Sequence, residues 1–127
     1  MRQIPKILPA LMRSCKVQSK ASRVGFDWPD MEGPMQKIME EYEELKKAYE
    51  EGDNRAIREE LGDLLFSVAN VSRFLGIDPE ESLNESTEKF IERFAYIEEN
   101  SGINGKTIED ISLDEMDRLW AEAKKIF

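Results

Sequence analysis

Met35-Gln36-Lys37-Ile38-Met39-Glu40-Glu41-Tyr42-Glu43-Glu44-Leu45 and Arg58-Glu59-Glu60-Leu61-Gly62-Asp63-Leu64-Leu65-Phe66 are two runs whose acids recur at helical spacing, and their reading decides the fold. Turned about a helix axis at roughly 100° per residue, the first gathers Met35, Ile38, Tyr42, Leu45 and Tyr49 into one apolar stripe. Glu41 falls about 80° to one side of that stripe and Glu44 about 140° to the same side. The second gathers Ile57, Leu61, Leu64, Val68 and Leu75. Glu60 and Asp63 fall about 70° and 130° from its centre, in the same rotational sense. The short Glu51-Gly52-Asp53-Asn54 connection favours an antiparallel helix pair. Equal offsets then put both carboxylate pairs either into the shared cleft or outside it. Four carboxylates in one cleft would resist ionising unless something positive sat among them, and a divalent cation is the simplest candidate.

The bulk properties narrow the chemistry. A chain of 127 residues, 40% apolar, fits one domain over residues 1–127 with a core of its own. A net charge of −9 argues against a nucleic-acid polymer as the main partner. Histidine is absent and Cys15 is the single cysteine, which removes thiolate zinc sites, disulfide frameworks and histidine-based nucleophile systems. Oxygen-only ligation selects a hard cation, Mg²⁺ or Mn²⁺. No apolar run approaches a membrane span, so a soluble, cytoplasmic protein is expected. The first 26 residues carry six basic side chains and no acid, which slightly resembles a targeting segment, but they read better as a folded helix.

Taken in order, residues 1–9 form an irregular lead-in, with Pro5 and Pro9 discouraging helix. A helix follows from about Ala10 to Val24, with Arg13, Lys16, Lys20 and Arg23 as a basic stripe. That stripe is either a solubilising face paired with the acidic helices or a positive wall beside the acidic cleft. Gly25-Phe26-Asp27-Trp28-Pro29-Asp30 reads as a loop, in which Trp28 either seals a bundle end or offers a surface to a nucleobase. Pro34 suits the opening turn of the first acidic helix, and Gly52 ends it. The third helix begins near Asp53 or Asn54 and stops before Gly76. Phe66 lies opposite its main stripe, so this helix is expected to be the most enclosed. Asn70 continues the flank of Glu60 and Asp63 and, as a lone helical Asn, is expected to be exposed. Asp78-Pro79-Glu80-Glu81 opens a fourth helix reaching about Asn100, with Phe90, Phe94 and Ile97 on one face and Lys89 and Arg93 beside it. Ser101 to Thr107 reads as a turn. Ser112-Leu113-Asp114-Glu115 caps a fifth helix carrying Trp120 and Lys124 to about Phe127. No strand-like alternation of useful length occurs, so the class is all-α, about five helices.

Glu40-Glu41-x-x-Glu44 followed by Glu60-x-x-Asp63 resembles the signature of the MazG-type nucleoside triphosphate pyrophosphohydrolases. The likeness extends through Leu8-Pro9-Ala10-Leu11, Lys16-Val17-Gln18, Val24-Gly25-Phe26-Asp27-Trp28, Glu60 to Phe66, Glu88-Lys89-Phe90 with Arg93-Phe94, and Trp120, and is strongest to that family's C-terminal repeat. The resemblance implies a four-helix-bundle core of the all-α pyrophosphatase type, completed by assembly into homodimers or homotetramers. It implies hydrolysis of a nucleoside triphosphate to a monophosphate and pyrophosphate with Mg²⁺, for which Mn²⁺ could substitute. By position, Glu41, Glu44, Glu60 and Asp63 would hold the metal. Lys37, Ile38, Met39, Glu40 and Glu41 would border the nucleotide, with Glu40 and Glu41 catalytic and Glu40 orienting or deprotonating water. Asp63 would also meet substrate, Lys89 and Arg93 would grip phosphates, Trp120 would lie against the nucleotide, and Lys124 would join the phosphate contacts. Two alternatives stand beside this: a related dUTP, dCTP or phosphoribosyl-ATP pyrophosphohydrolase, or a non-catalytic helical module with a vestigial acidic site. Only one repeat is present, which fits a single-repeat protein or half of a tandem one.

Overall fold

A computed structural model describes residues 1–102 and 107–127, and every structural statement below concerns those residues. They form five α-helices and no strand: α1 (Ala10–Ser22), α2 (Glu32–Glu51), α3 (Asn54–Leu75), α4 (Pro79–Ser101) and α5 (Leu113–Lys124). The central part of the turn expected between Ser101 and Thr107, with Gly105, lies outside the described residues. No helix is long and apolar enough to cross a membrane.

The boundaries follow local chemistry. Gly52 and Gly76 adopt left-handed backbone, φ 69° in each, and close α2 and α3. Only glycine takes that conformation without a Cβ penalty. Asp53 caps α3 by accepting from the amides of Arg55 and Ala56, and Asp78 accepts from Glu80 at the start of α4. Ser112 accepts from Glu115 to open α5. This last helix ends at Lys124, short of the Phe127 expected, because the amides of Ile126 and Phe127 turn back onto the Ala123 carbonyl. A 3₁₀ turn over Ile108–Asp110 was not anticipated. Its signal is Thr107-x-x-Asp110, where the Asp110 carboxylate accepts from both the amide and the hydroxyl of Thr107.

The chain divides into two compact units, Met1–Glu81 and Ser82–Phe127. In the first, α2 and α3 form a helical hairpin and α1 packs on α3. The Cys15 thiol donates to the Ala69 carbonyl, and Gln18 Nε2 donates to the Phe66 carbonyl. Burial raises the Cys15 pKa, which keeps it a neutral donor. On α2 the inward residues are Pro34, Glu41 and Ala48, and on α3 they are Ser67, Ala69, Asn70 and Val71.

These inward faces correct two expectations. Relative to the apolar stripes, each helix is rolled by roughly a quarter to a third of a turn toward its acids. Met35, Tyr42 and Tyr49 are therefore 51%, 53% and 75% exposed. Leu61, Leu65, Phe66 and Val68 are exposed as well, so α3, which has the most buried residues of the helices and packs on both α1 and α2, is not enclosed through its two apolar sides. Asn70, expected on the surface, is buried.

In the second unit Ile97, Ile111 and Leu119 form the core, with Tyr96, Ile108, Met116 and Trp120 packed on it. Tyr96 donates its hydroxyl to Glu122, which ties α4 to α5 and raises the tyrosine pKa.

Candidate active site

The roll of α2 toward α3 carries Glu41 inward, and it is the one buried carboxylate among the described residues. Lys37, one turn earlier, reaches it at 3.0 Å and touches Glu40 at 3.9 Å. The hydrogen bond to Glu41, with the charges of Glu41, Glu40 and Asp63, raises the Lys37 pKa and keeps it protonated. From α3, Glu60 and Asp63 point into the same space. Glu41, Glu60 and Asp63 can each offer one carboxylate oxygen so that all three lie within 4.8 Å of one another.

Of the two outcomes left open by the helical offsets, the structure shows the inward one for Glu41, Glu60 and Asp63 and not for Glu44. Desolvation raises the Glu60 pKa, and the hydrogen bond with Glu41 and the charges of Glu41, Asp63 and Glu44 add to it. Such a group of hard oxygen donors, short of positive charge, suits a divalent cation of the Mg²⁺ or Mn²⁺ type. Glu44 stands outside the group of three, although its charge reaches Glu60. Glu40 lies at the rim with its side chain 56% exposed, Met39 is exposed, and Ile38 is half-buried.

Beside the acids the first unit holds a cavity of about 750 Å³, which Lys37, Glu41 and Asp63 line together with Trp28, Phe66 and Asn70. Trp28 lies on the opening turn of α2 because residue 33 is glycine. A Cβ there would fall 2.7 Å from Trp28 Cδ2, too close for two carbons. Asp27, next to it, clamps Arg73 of α3 through two hydrogen bonds, 2.6 and 3.2 Å. Arg73 also donates Nε to Asn70 Oδ1 at 2.9 Å and lies over the Phe74 ring. The hydrogen bond from Arg73 holds the Asp27 carboxyl below the usual carboxylate range.

Asp27, Asn70 and Arg73 were not among the expected site residues. The signal for Asn70 and Arg73 is periodic, since Asp63, Phe66, Asn70 and Arg73 step along one flank of α3 at three- and four-residue spacing, whereas Asp27 has none. The wall supplied by α1 is Val17, Gln18 and Ala21. The basic stripe is therefore not a wall of this cavity. Lys16, Lys20 and Arg23 line a separate hollow with Ile4, Cys15 and Ser19. No salt bridge joins Arg13, Lys16, Lys20 or Arg23 to an acid among the described residues, so the pairing with acidic helices is not seen either.

The remaining expected site residues belong to the second unit. There Arg93 lies 5.5 Å from the Trp120 ring centroid and donates to the Phe127 carbonyl. Phe90 packs against both Phe94 and Trp120. Lys89 and Lys124 are exposed and form no salt bridge among the described residues.

An all-α chain that turns three acids from two adjacent helices into one space beside an aromatic-lined cavity falls in the class of helical proteins with a carboxylate cluster able to hold a cation. Residues 30–97 match the family model described as the MazG nucleotide pyrophosphohydrolase domain. The chain belongs to that family. It is 46% identical over 122 residues to the Thermotoga maritima nucleoside triphosphate pyrophosphohydrolase/pyrophosphatase MazG. It is 36% identical over 124 residues to a nucleoside triphosphate pyrophosphohydrolase of Escherichia coli K12. In each case the match covers 96% of this chain and 47% of the relative, so the chain spans about half the length of these two proteins. It is also 44% identical over 123 residues to the Bacillus subtilis protein YabN, of which it covers 25%.

Proposed function

We propose that residues 1–127 act as one domain that hydrolyses nucleoside triphosphates to nucleoside monophosphate and pyrophosphate, with Mg²⁺ or, in its place, Mn²⁺. The observation that carries this reading is the meeting of Glu41, Glu60 and Asp63 in one space, beside a cavity large enough for a nucleoside that Glu41 and Asp63 help to line. The printed activities of the Thermotoga and Escherichia relatives support it. In this reading Glu41, Glu60 and Asp63 hold the cation, with Glu44 as the fourth carboxylate. When bound, the cation neutralises triphosphate charge and polarises the phosphoryl oxygens.

The chain's own groups do the rest. Lys37 stays protonated against Glu41 and orients it. Glu40, at the exposed rim, orients or deprotonates the water that attacks the α-phosphorus. Lys37, Ile38 and Met39 border the nucleotide. Lys89, Arg93 and Lys124 grip phosphates as cationic partners of a polyanion, and Trp120 lies against the nucleotide.

The same reading includes assembly into a homodimer or homotetramer built on a four-helix core. Its support is the apolar surface that α2 and α3 leave open, with Met35, Tyr42, Leu61, Leu65 and Val68 each more than 40% exposed. The test is a panel of ribo- and deoxyribonucleoside triphosphates, with separate detection of pyrophosphate and orthophosphate, with and without Mg²⁺. Metal-dependent release of pyrophosphate is expected. Release of orthophosphate alone, or no turnover of any triphosphate, would remove the proposal.

A further inference from the structure

The cavity carries a polar group whose orientation the structure determines. Asn70 is 9% exposed, and its side-chain oxygen accepts from Arg73 Nε at 2.9 Å. A guanidinium has donors only, so the carboxamide must face it with oxygen. Turning the amide over would set N–H against N–H and lose a charge-assisted bond. Arg73 cannot follow such a turn, because Asp27 holds the other end of its fork with two hydrogen bonds and Phe74 lies under its plane. Asp27, Arg73 and Asn70 therefore form a chain of constraint that ends with the Asn70 –NH₂ group aimed away from Arg73.

That group has no further use within the protein. Among the described residues the bond from Arg73 is the only side-chain hydrogen bond of Asn70, and Nδ2 is not a sealed atom. Asn70 lines the cavity. Neighbouring side chains there have committed their donors: Ser67 to the Leu64 carbonyl, and Gln18 to the carbonyls of Ser14 and Phe66. A nearly buried amide donor with an open side is costly unless an acceptor arrives.

Its position identifies the acceptor. Asp63, at the metal end, and Asn70 are seven residues apart on one helix, about 10 Å along the axis. The phosphates of a nucleotide held at Asp63 lie at one end of that span, and the base, a nucleoside's length away, at the other. A phosphate is a poor occupant of the far end, since Asp27 already neutralises Arg73. Building on the proposed pyrophosphohydrolase activity, we infer that Asn70 is a base-binding residue: its Nδ2 donates to an acceptor on the edge of the nucleobase. Asp27 and Arg73 are positioning residues that fix which way the amide points. Every natural base carries a ring nitrogen or carbonyl acceptor, so one donor grips all of them without selecting strongly among them.

Asn70→Asp is the decisive variant. It keeps an oxygen for Arg73 and the shape of the side chain, and replaces the donor by a carboxylate oxygen, whose charge the Arg73 guanidinium faces. Asn70→Leu, which removes both polar atoms, is the companion should Asn70→Asp fold poorly. Each is compared with the unaltered chain on nucleoside triphosphates and on ribose 5′-triphosphate, which has phosphates and sugar but no base. The expected result is a KM for nucleotides raised about tenfold, with kcat and the KM for ribose 5′-triphosphate unchanged. Arg73→Lys should reproduce part of the same split, because an ammonium cannot hold Asp27 and Asn70 in one plane. Equal rises for both substrates, or no rise for either, would overturn the assignment. Should the unaltered chain turn over neither substrate, the hydrolase reading falls by itself. Asn70 is then judged from the affinity of an α,β-methylene nucleotide triphosphate, where an unchanged Kd in Asn70→Asp would overturn it.

Discussion

The two units of this chain bury different kinds of side chain. In the second, the core is aliphatic: Ile97, Ile111 and Leu119 are each less than 8% exposed. In the first, apart from Val71, what turns inward is small or polar: Pro34, Glu41, Ala48, Ser67, Ala69 and Asn70. Many of its large apolar residues, from Met35 and Tyr42 to Leu61 and Val68, face outward, as Leu83, Phe90, Ile91 and Leu113 do in the second, but in the first no aliphatic cluster is buried beneath them. A helix pair cannot present one face to two purposes. Where α2 and α3 roll their acids into the cleft, their apolar stripes roll out with them. The second unit gains stability from burying its core, whereas the first gives up some of that gain to concentrate like charges beside a cavity.

The sharpest way to break this contrast is to relieve the charge. Glu60→Gln and Asp63→Asn should each lower activity on the order of 100-fold or more, at or beyond the scale produced by losing a group that merely supports a metal ligand. Yet Glu60→Gln should not lower the stability of the metal-free protein. The folded-state pKa of Glu60 is raised, so its favourable contribution is complete below the ordinary carboxylate value and is lost as pH rises through the raised one. At neutral pH the ionised group opposes folding, and the neutral amide does not. Thermal melts in EDTA at pH 7 should therefore place Glu60→Gln at or above the unaltered chain. Added Mg²⁺ should lift the unaltered chain more than the variant. A variant that melts well below its parent in EDTA would show that the cluster is structural.

Leucine truncations test the other side of the contrast. Leu119→Ala removes a side chain that is 4% exposed and should cost about 2–5 kcal/mol in urea unfolding. Leu61→Ala removes one that is 47% exposed. In solution dilute enough to keep any assembly of copies apart, it should cost about 1 kcal/mol or less. Equal costs under those conditions would mean that the two units do not differ as described. A cost at Leu61 that grows with protein concentration would locate the face on which copies of the chain meet.

The same contrast explains what was legible before any coordinates. Helix ends were readable because caps are local: Gly52, Asp53, Gly76, Asp78 and Ser112 each act within one turn of backbone. The meeting of Glu41, Glu60 and Asp63 was readable as one of two outcomes, because helical periodicity gives relative angles and leaves the roll of the whole helix undetermined. That roll depends on what covers the apolar stripes, and a stripe of Met35, Tyr42 and Tyr49 looks the same whether it meets the chain's own core or something else. Asn70 was misread for a related reason. Its amide is held by Arg73, three residues on, which Asp27, 43 residues back from Asn70, holds in turn, and no local pattern joins a loop aspartate to a helical arginine across that distance. The Thr107-x-x-Asp110 box is legible as well, but it begins on the last residue of the Ser101 to Thr107 turn and so falls between two elements.

The smallest expected effect concerns that loop. Asp27→Asn keeps an oxygen toward Arg73 but removes the charge from the salt bridge at 2.6 Å. The Arg73 hydrogen bond lowers the folded-state pKa of Asp27 from the ordinary 3.8. The pair's contribution is thus fully present above 3.8 and disappears as pH falls through the lowered value. At pH 7 the variant should melt a few degrees below its parent. Between pH 4 and the acid limit the two melting curves should converge, because the parent loses by protonation what the variant has lost already. A gap that stays constant from pH 7 into strong acid would mean that the charge of Asp27 contributes nothing. Arg73 would then be held by Asn70 and Phe74 alone, and the loop bearing Trp28 would owe its place to packing at Gly33. Convergence would show the reverse: the first unit, with few large side chains inside, uses one partly exposed ion pair to hold an aromatic loop over its cavity.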